Sequence, residues 1–215
     1  MPKKSKQQWI DISVPIGHGM LAWPSDPPVE ISPFKVIGKD KHSNVALLKM
    51  GTHTGTHIDA PRHSLIGGQT IDELDPDLMI GPVEVIEIND PVAIRAKELQ
   101  GKGIKKGQRV IFKTRNSLTQ WWKKDFQNNF IYLALDAAEF LAKRQVKLVG
   151  IDYLSVGGYK QENGLAVHKI LLGAGVCITE GLALNKIKKG SYEMVCLPIK
   201  IFQGDGAPAR VLLRA

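Results

Sequence analysis

Eight short runs rich in Val, Ile and Leu recur along this chain and limit it to folds with a substantial sheet. They read KVIGK, NVALLKM, VEVIEI, RVIFKT, VKLVGID, VCIT, MVCLPIKI and ARVLLR. Helical stretches fall between some of them. Asp136, followed three residues later by Glu139, forms a capping-box-like start for AAEFLAKR. VAIRAKELQ runs into Gly101 and VHKILL into Gly173, each placed as a helix-terminating glycine. Seven or eight strands with three short helices predict a mixed α/β (α+β) domain, with strand order left open. WPSDPP, residues 23–28, is too proline-rich for a sheet interior and reads as a rigid loop. No repeat, low-complexity tract or linker divides the 215 residues, so a basic tail over 1–8 followed by one domain over 9–215 is expected.

Charge narrows the function classes. With 29 Lys+Arg against 21 Asp+Glu the formal net charge is +8, which raises nucleic-acid binding as a first question. The excess is dispersed, however, among Lys3, Lys4 and Lys6, then Lys102, Lys105 and Lys106, then Lys186, Lys188 and Lys189. None of these runs is interleaved with base-stacking aromatics, and no zinc-finger spacing occurs, so a solvated basic surface and no nucleic-acid partner are expected. No apolar run approaches the roughly 20 residues of a membrane span. The start, MPKKSKQQWID, has a basic flank with no apolar stretch behind it, unlike a secretory signal. Cys177 and Cys196 lie in strand-like runs outside any Cys-x-x-Cys pair, and read as free buried thiols of a reducing compartment, the cytoplasm.

The strongest local signal is the density of histidine. Three of the six histidines, with Asp59, fall in His-Thr-Gly-Thr-His-Ile-Asp-Ala-Pro-Arg-His, residues 53–63. His53, His57, Asp59 and His63 are all odd-numbered, and an extended backbone would turn them to one face. Full extension would leave the Cα atoms of His53 and His57 about 13 Å apart, the limit for sharing one ion. Thr54, Gly55 and Thr56 make a poor helix interior, so the chain is expected to bend at Gly55. Imidazole with carboxylate suits zinc, and manganese or iron less specifically. Among the neighbours, Asp72, Glu73, Asp75 and Asp77 read as a solvated acidic loop with a helix cap, and His18 and His42 as loop residues. Asp152 would be costly if buried without partners; it serves either as a structural acceptor or as support behind a metal ligand. Trp121 and Trp122 read as core or interface residues.

HTGTHIDAPRH resembles the His-x-Gly-Thr-His-x-Asp-x-Pro-x-His motif of the metal-dependent cyclase family, whose best-known members are bacterial kynurenine formamidases (arylformamidases). IDISVPIGHGMLAWPSDPP, KLVGIDYLSV, VHKILLGAGVCITEGLAL and GSYEMVCLPIKIFQGDGAPARVLL resemble further family segments in the same order. The resemblance implies the swivelling β/β/α fold and a homodimer or higher homo-oligomer. It also implies that His53, His57 and Asp59 bind one metal, and that Asp59 bridges to a second held by His168 and Glu180. His63 matches the catalytic histidine and Trp23 an aromatic position that contacts substrate, and the placement of the PIGHGM segment near substrate sets an approach of His18 to the site against its reading as loop surface. The implied activity is hydrolysis of a C–N bond in a small, aromatic amide by metal-activated water. Two zinc ions per subunit are expected, with manganese as the substitute, and N-formylkynurenine as the candidate substrate. Formamidases commonly carry Asp after Ser-Val, whereas Gly157-Gly158 follow Ser155-Val156 here, which keeps an isatin-type or other cyclic-amide hydrolase as the alternative. A non-catalytic metal-binding or nucleic-acid-binding protein is the reading from another class. The presence of all six motif residues favours the enzyme.

Overall fold

Alternation along the strands decides the architecture. In the run Cys177–Glu180, Cys177 packs with Ile111 and Leu148, whereas its neighbour Ile178 packs with Val110, Val149 and Ile151. A strand apolar on both faces must be covered on both, and here the sheet achieves this by curling into a barrel and carrying helices outside it. The structure, a computed structural model, describes residues 8–215. Lys3, Lys4 and Lys6 of the expected tail lie outside them.

The strands are β1 (Ile10–Asp11), β2 (Glu30–Lys35), β3 (Val45–Lys49), β4 (His57–Asp59), β5 (Ile80–Glu87), β6 (Ala93–Ile94), β7 (Arg109–Lys113), β8 (Tyr132–Leu133), β9 (Leu148–Ile151), β10 (Cys177–Glu180), β11 (Gly190–Pro198) and β12 (Gly206–Arg214). The α-helices are α1 (Ala96–Leu99), α2 (Leu135–Lys143) and α3 (Gln161–Gly173). The main sheet runs β12-β11-β5-β7-β9-β10-β4, and β4 pairs again with β12, closing a ring of seven strands with β1 added beside β12. Within this sheet the pairings β5–β7, β7–β9 and β9–β10 are parallel, and the others are antiparallel. Inside the ring lie Ile58, Val83, Val85, Met194, Cys196, Val211 and Leu213, all buried. Leu99 of α1, Ala138 and Leu141 of α2, and Val167 and Leu171 of α3 pack on the outer face. This is the mixed α/β class expected from the pattern. Among the described residues no helix is long and apolar enough to cross a membrane.

Local departures have identifiable causes. KVIGK is not a strand of its own. Gly38 and Lys41 exchange backbone hydrogen bonds (3.0 and 3.3 Å) and the Asn44 side chain accepts from the Ile37 N–H (2.8 Å), making this segment the turn of the β2–β3 ribbon. Asp136 does not cap α2. Ala134 takes that position without a side-chain bond, and Asp136 Oδ2 instead accepts from the Ala96 N–H at 3.2 Å, tying α1 to α2. The capping box occurs at Thr70 and Glu73, opening a 3₁₀ turn within the acidic loop. VAIRAKELQ is helical only over Ala96–Leu99, because Ala93 and Ile94 pair with β8. α3 runs through Gly173, and the Ala174 N–H closes on the carbonyls of Ile170 (3.2 Å) and Leu171 (3.1 Å).

Candidate metal centre and active site

The closing strand of the ring builds the site. β4 contributes only His57, Ile58 and Asp59, and their alternation sends Ile58 into the barrel and the other two side chains outward. In the β10–β4 ladder Glu180 stands directly opposite His57, so the imidazole and the carboxylate meet across the strands. His168 comes from the inward face of α3, which packs over the same side of the sheet. His53 arrives by a turn at Gly55, whose φ of +64° is open to glycine and strained for other residues. The bend expected from the sequence is therefore present, and full extension of residues 53–63 is not. His63 closes the group from a 3₁₀ turn opened by Pro61.

Four imidazoles surround two buried carboxylates. Asp59 and Glu180 are 1% and 3% exposed. His57 Nδ1–H donates to the Gly55 carbonyl at 3.0 Å, leaving Nε2 facing Asp59 Oδ1 at 3.4 Å and Glu180 Oε2 at 3.3 Å. His168 repeats the device. Nδ1–H donates to the Gly164 carbonyl at 2.7 Å, and Nε2 lies 3.2 Å from Glu180 Oε1 and 3.5 Å from Asp59 Oδ2. His53 Nδ1 approaches Asp59 Oδ1 at 2.7 Å. The ring of His63 is 4.0 Å from that of His53 and 5.4 Å from that of His168, centre to centre.

Two buried anions demand compensating charge. Burial opposes protonation of the histidines, but hydrogen bonds to the carboxylates prevail. His53, bonded to Asp205 and Asp59, is pushed up to about 9, and His57, bonded to Asp59 and Glu180, to about 10. His168 rises to about 9, chiefly through Glu180. Burial would raise Asp59 and Glu180 in turn, but their imidazole partners hold both below the ordinary carboxylate range. His63 moves the other way. Lost hydration on the side turned to the cluster, followed by the charges of His53 and His168, lowers it.

The donor set fits a divalent metal. Asp59 Oδ2 is buried with no hydrogen-bond partner among the described residues, an expensive condition that a cation would relieve. Ligand atoms of His53, His57 and Asp59 lie within 4.8 Å of one another, as do those of Asp59, His63 and His168. Imidazole nitrogens and carboxylate oxygens with fixed tautomers suit zinc or manganese.

A cavity of about 490 Å³ opens over this group, lined by His53, His57, His63, His168 and Glu180 on one side and by Trp23, Tyr159 and Leu165 on the other. Trp23 is braced edge-on by Phe126 at 5.4 Å, with Tyr159 tilted against it at 5.7 Å. All seven residues singled out from the sequence thus border or lie beneath one cavity. His18 and Asp152 are elsewhere. His18 Nδ1 accepts from the Ile31 N–H at 3.2 Å in an exposed loop. Asp152 is enclosed by the backbone N–H of Thr114 (2.8 Å), the Thr114 hydroxyl (2.8 Å) and the Ser117 N–H (3.1 Å), the structural alternative of the two. Arg210 pairs with Asp11 at 2.6 Å on the surface. Sequence reasoning gave no role to Asp205, which reaches His53 at 3.4 Å. Its signal, a lone Asp among C-terminal glycines, has no spacing relation to the histidine window.

Comparison with known proteins places these observations. The family model described as "Putative cyclase" matches residues 10–157. A kynurenine formamidase of Bacillus cytotoxicus is 31% identical over 207 residues, covering 96% of this chain and 97% of the relative. That of Bacillus mycoides is 32% identical over 210 residues, with 96% and 97% covered. Among solved structures, a predicted metal-dependent hydrolase from Bacillus stearothermophilus superposes with a TM-score of 0.84 at 34% identity, over 98% of this chain and 99% of the other. Isatin hydrolase A from Labrenzia aggregata shares the fold, with a TM-score of 0.82 at 21% identity over 97% and 93% of the two chains.

Proposed function

This chain belongs to the cyclase family, and from that premise we propose that it is a metal-dependent amidohydrolase of the arylformamidase type, releasing formate from N-formylkynurenine. One observation carries the reading. Two buried carboxylates, one with an orphaned oxygen, face the Nε2 atoms of His57 and His168 directly beneath a cavity with an aromatic wall. His53, His57 and Asp59 would hold one metal, and Asp59, His168 and Glu180 a second. Zinc is the metal proposed, with manganese able to substitute. A divalent metal held there supplies Lewis acidity, polarising the amide carbonyl and acidifying water.

The side chains supply the rest. His63 faces the cavity with a lowered pKa, so it is neutral at pH 7 and free to accept a proton from the attacking water. The imidazolium so formed, stabilised by the nearby Asp59 charge, then returns that proton to the departing amine. Trp23, braced by Phe126, offers a flat surface to an aromatic substrate, and Leu165 and Tyr159 extend that wall. The net charge of +8 favours approach of a carboxylate-bearing substrate. Residues 9–215 are read as one catalytic domain behind a basic tail. The free, buried thiols of Cys177 and Cys196 fit a cytoplasmic enzyme. The β2–β3 ribbon, with Phe34, Ile37 and Leu47 each more than half exposed, supports a homodimer.

The test is metal analysis of the purified protein together with formate release from N-formylkynurenine and ring opening of isatin. The expected result is two zinc equivalents and formate release that chelator abolishes and added zinc restores. Activity on isatin alone would move the substrate to a cyclic amide. A protein that holds metal but cleaves neither compound would overturn the arylformamidase reading.

A further inference from the structure

Asp205 lies just before β12, at the point where that strand closes the ring against β4. Its backbone is pinned there, because its carbonyl accepts from the Ala60 N–H at 3.0 Å and the next residue, Gly206, stands opposite Asp59 in the ladder. Its side chain is pinned as well. Oδ1 accepts from the Thr52 hydroxyl at 2.9 Å, which leaves Oδ2 directed at His53 Nε2, 3.4 Å away. His53 is thereby held at both ring nitrogens, with Nδ1 turned to Asp59 at 2.7 Å and Nε2 turned to Asp205. Gly206 completes the seat. A Cβ there would stand 2.6 Å from His53 Cε1, so glycine is what lets the ring approach the strand this closely.

We infer that Asp205 is a positioning residue for the metal centre: by accepting the Nε2–H of His53 it fixes the tautomer that leaves the Nδ1 lone pair facing the metal site, with Thr52 orienting Asp205 in turn. The inference rests on the metal-dependent reading above. His57 and His168 receive the same service from backbone carbonyls, Gly55 and Gly164, which no side-chain substitution can remove. His53 alone of the three depends on a side chain, and a carboxylate behind a ligating imidazole raises its basicity as well as orienting it. A competing assignment exists on the same geometry. The ligand atoms of His53, His63 and Asp205 fall within 4.8 Å of one another, so Asp205 could serve His63 instead.

The discriminating experiment measures zinc affinity by competition with a chromophoric chelator, and the visible spectrum of the cobalt(II)-substituted protein, for the parent chain, Asp205→Ala, Asp205→Asn and Thr52→Val. Asp205→Ala is expected to weaken zinc binding by about 10- to 100-fold. Asp205→Asn keeps an acceptor oxygen and should recover much of that loss. Thr52→Val, which leaves Asp205 in place but unoriented, should fall between the parent and Asp205→Ala and covers the case in which that variant does not fold. The cobalt spectrum of Asp205→Ala should change in shape as well as intensity, because one ligand has lost its fixed orientation. Unchanged zinc affinity and an unchanged cobalt spectrum in Asp205→Ala would overturn the inference. Unchanged affinity with a displaced pH–rate profile would overturn it too, assigning Asp205 to His63. A parent chain that binds neither zinc nor cobalt would instead refute the metal-dependent reading on which the inference stands.

Discussion

Asp59 and Asp152 are both aspartates at the end of a buried strand, 1% and 0% exposed, yet their surroundings are opposites. Asp152 is met by donors that cannot leave, two backbone N–H groups and a threonine hydroxyl at 2.8–3.1 Å. Burial pushes its pKa up, against those hydrogen bonds. Asp59 keeps one oxygen without any donor and faces imidazoles that hold it well below the carboxylate range despite the same burial. An acid fully satisfied by fixed donors is a rivet that ties loop 114–117 to β9. An acid left incomplete, among bases that can exchange a proton for something else, is a binding group. Burial alone does not separate the two; the inventory of partners does.

The sharpest way to break this contrast is to remove each acid in turn. Asp59→Ala should abolish stoichiometric metal and cut formate release by on the order of 10³-fold or more, judged by elemental analysis and steady-state kinetics. A variant that kept its metal would remove Asp59 from the centre. His63→Asn probes the same side of the contrast more finely. Turnover should fall roughly 10²- to 10⁴-fold while metal content stays at the parent level, because His63 is assigned to proton transfer and not to binding. Equal metal loss in His63→Asn and His57→Ala would dissolve that division.

Asp152→Ala tests the other side. It strands three buried donors, so chemical denaturation should report a loss of about 2–5 kcal/mol, with metal per folded chain unchanged. Metal loss at unaltered stability would show that the rivet is in fact part of the centre.

The smallest effect concerns pH. In the metal-free chain the raised values of His53, His57 and His168, about 9 to 10 against an ordinary 6.5, contribute stability that is complete below pH 6.5 and lost as pH climbs through 9 to 10. The lowered Asp59 and Glu180 contribute stability that is present above their ordinary values of 3.8 and 4.5 and lost as pH falls through their folded values. Metal takes the place of the histidine protons, so it has more stability to restore where those protons are being lost. Thermal melts with zinc and with chelator should therefore differ more at pH 8.5 than at pH 6, at roughly 2–4 °C for each kcal/mol. A zinc-induced shift in Tm that was equal at the two pH values would contradict the proton–metal exchange.

These contrasts mark how far the sequence could be read. The window from His53 to His63 announces metal chemistry because its ligands are close in sequence, and the bend at Gly55 follows from what a threonine-glycine stretch permits. Strands β3, β5, β7 and β9 to β12 and the C-terminal half of α3 are equally legible from their apolar runs, whereas β1, β2 and the first half of α3 are not. Strand β4 is not, since its three residues are too few to carry a periodic pattern and only pairing on both sides makes them a strand. His168 and Glu180 are ordinary residues in isolation and acquire meaning through family resemblance, then through cross-strand register. Asp205 escapes both routes. Nothing in its neighbourhood predicts a histidine partner, and it meets His53 only because the ring closes. KVIGK misleads for the converse reason, since a β-like composition was recruited into the shoulder of a turn.

That three-residue strand has a kinetic consequence. Alone, β4 is far too short to persist; it is held on one side by β10 and on the other by β12. An ion shared by Asp59, His168 and Glu180 would therefore act as a clasp across a long loop, fastening β4 to β10 and restricting the chain's freedom once that seam has opened. The loaded barrel should then owe its longevity to slow ion release more than to its apolar interior. For such a molecule, the working lifetime of the catalyst and the residence time of its metal become the same quantity.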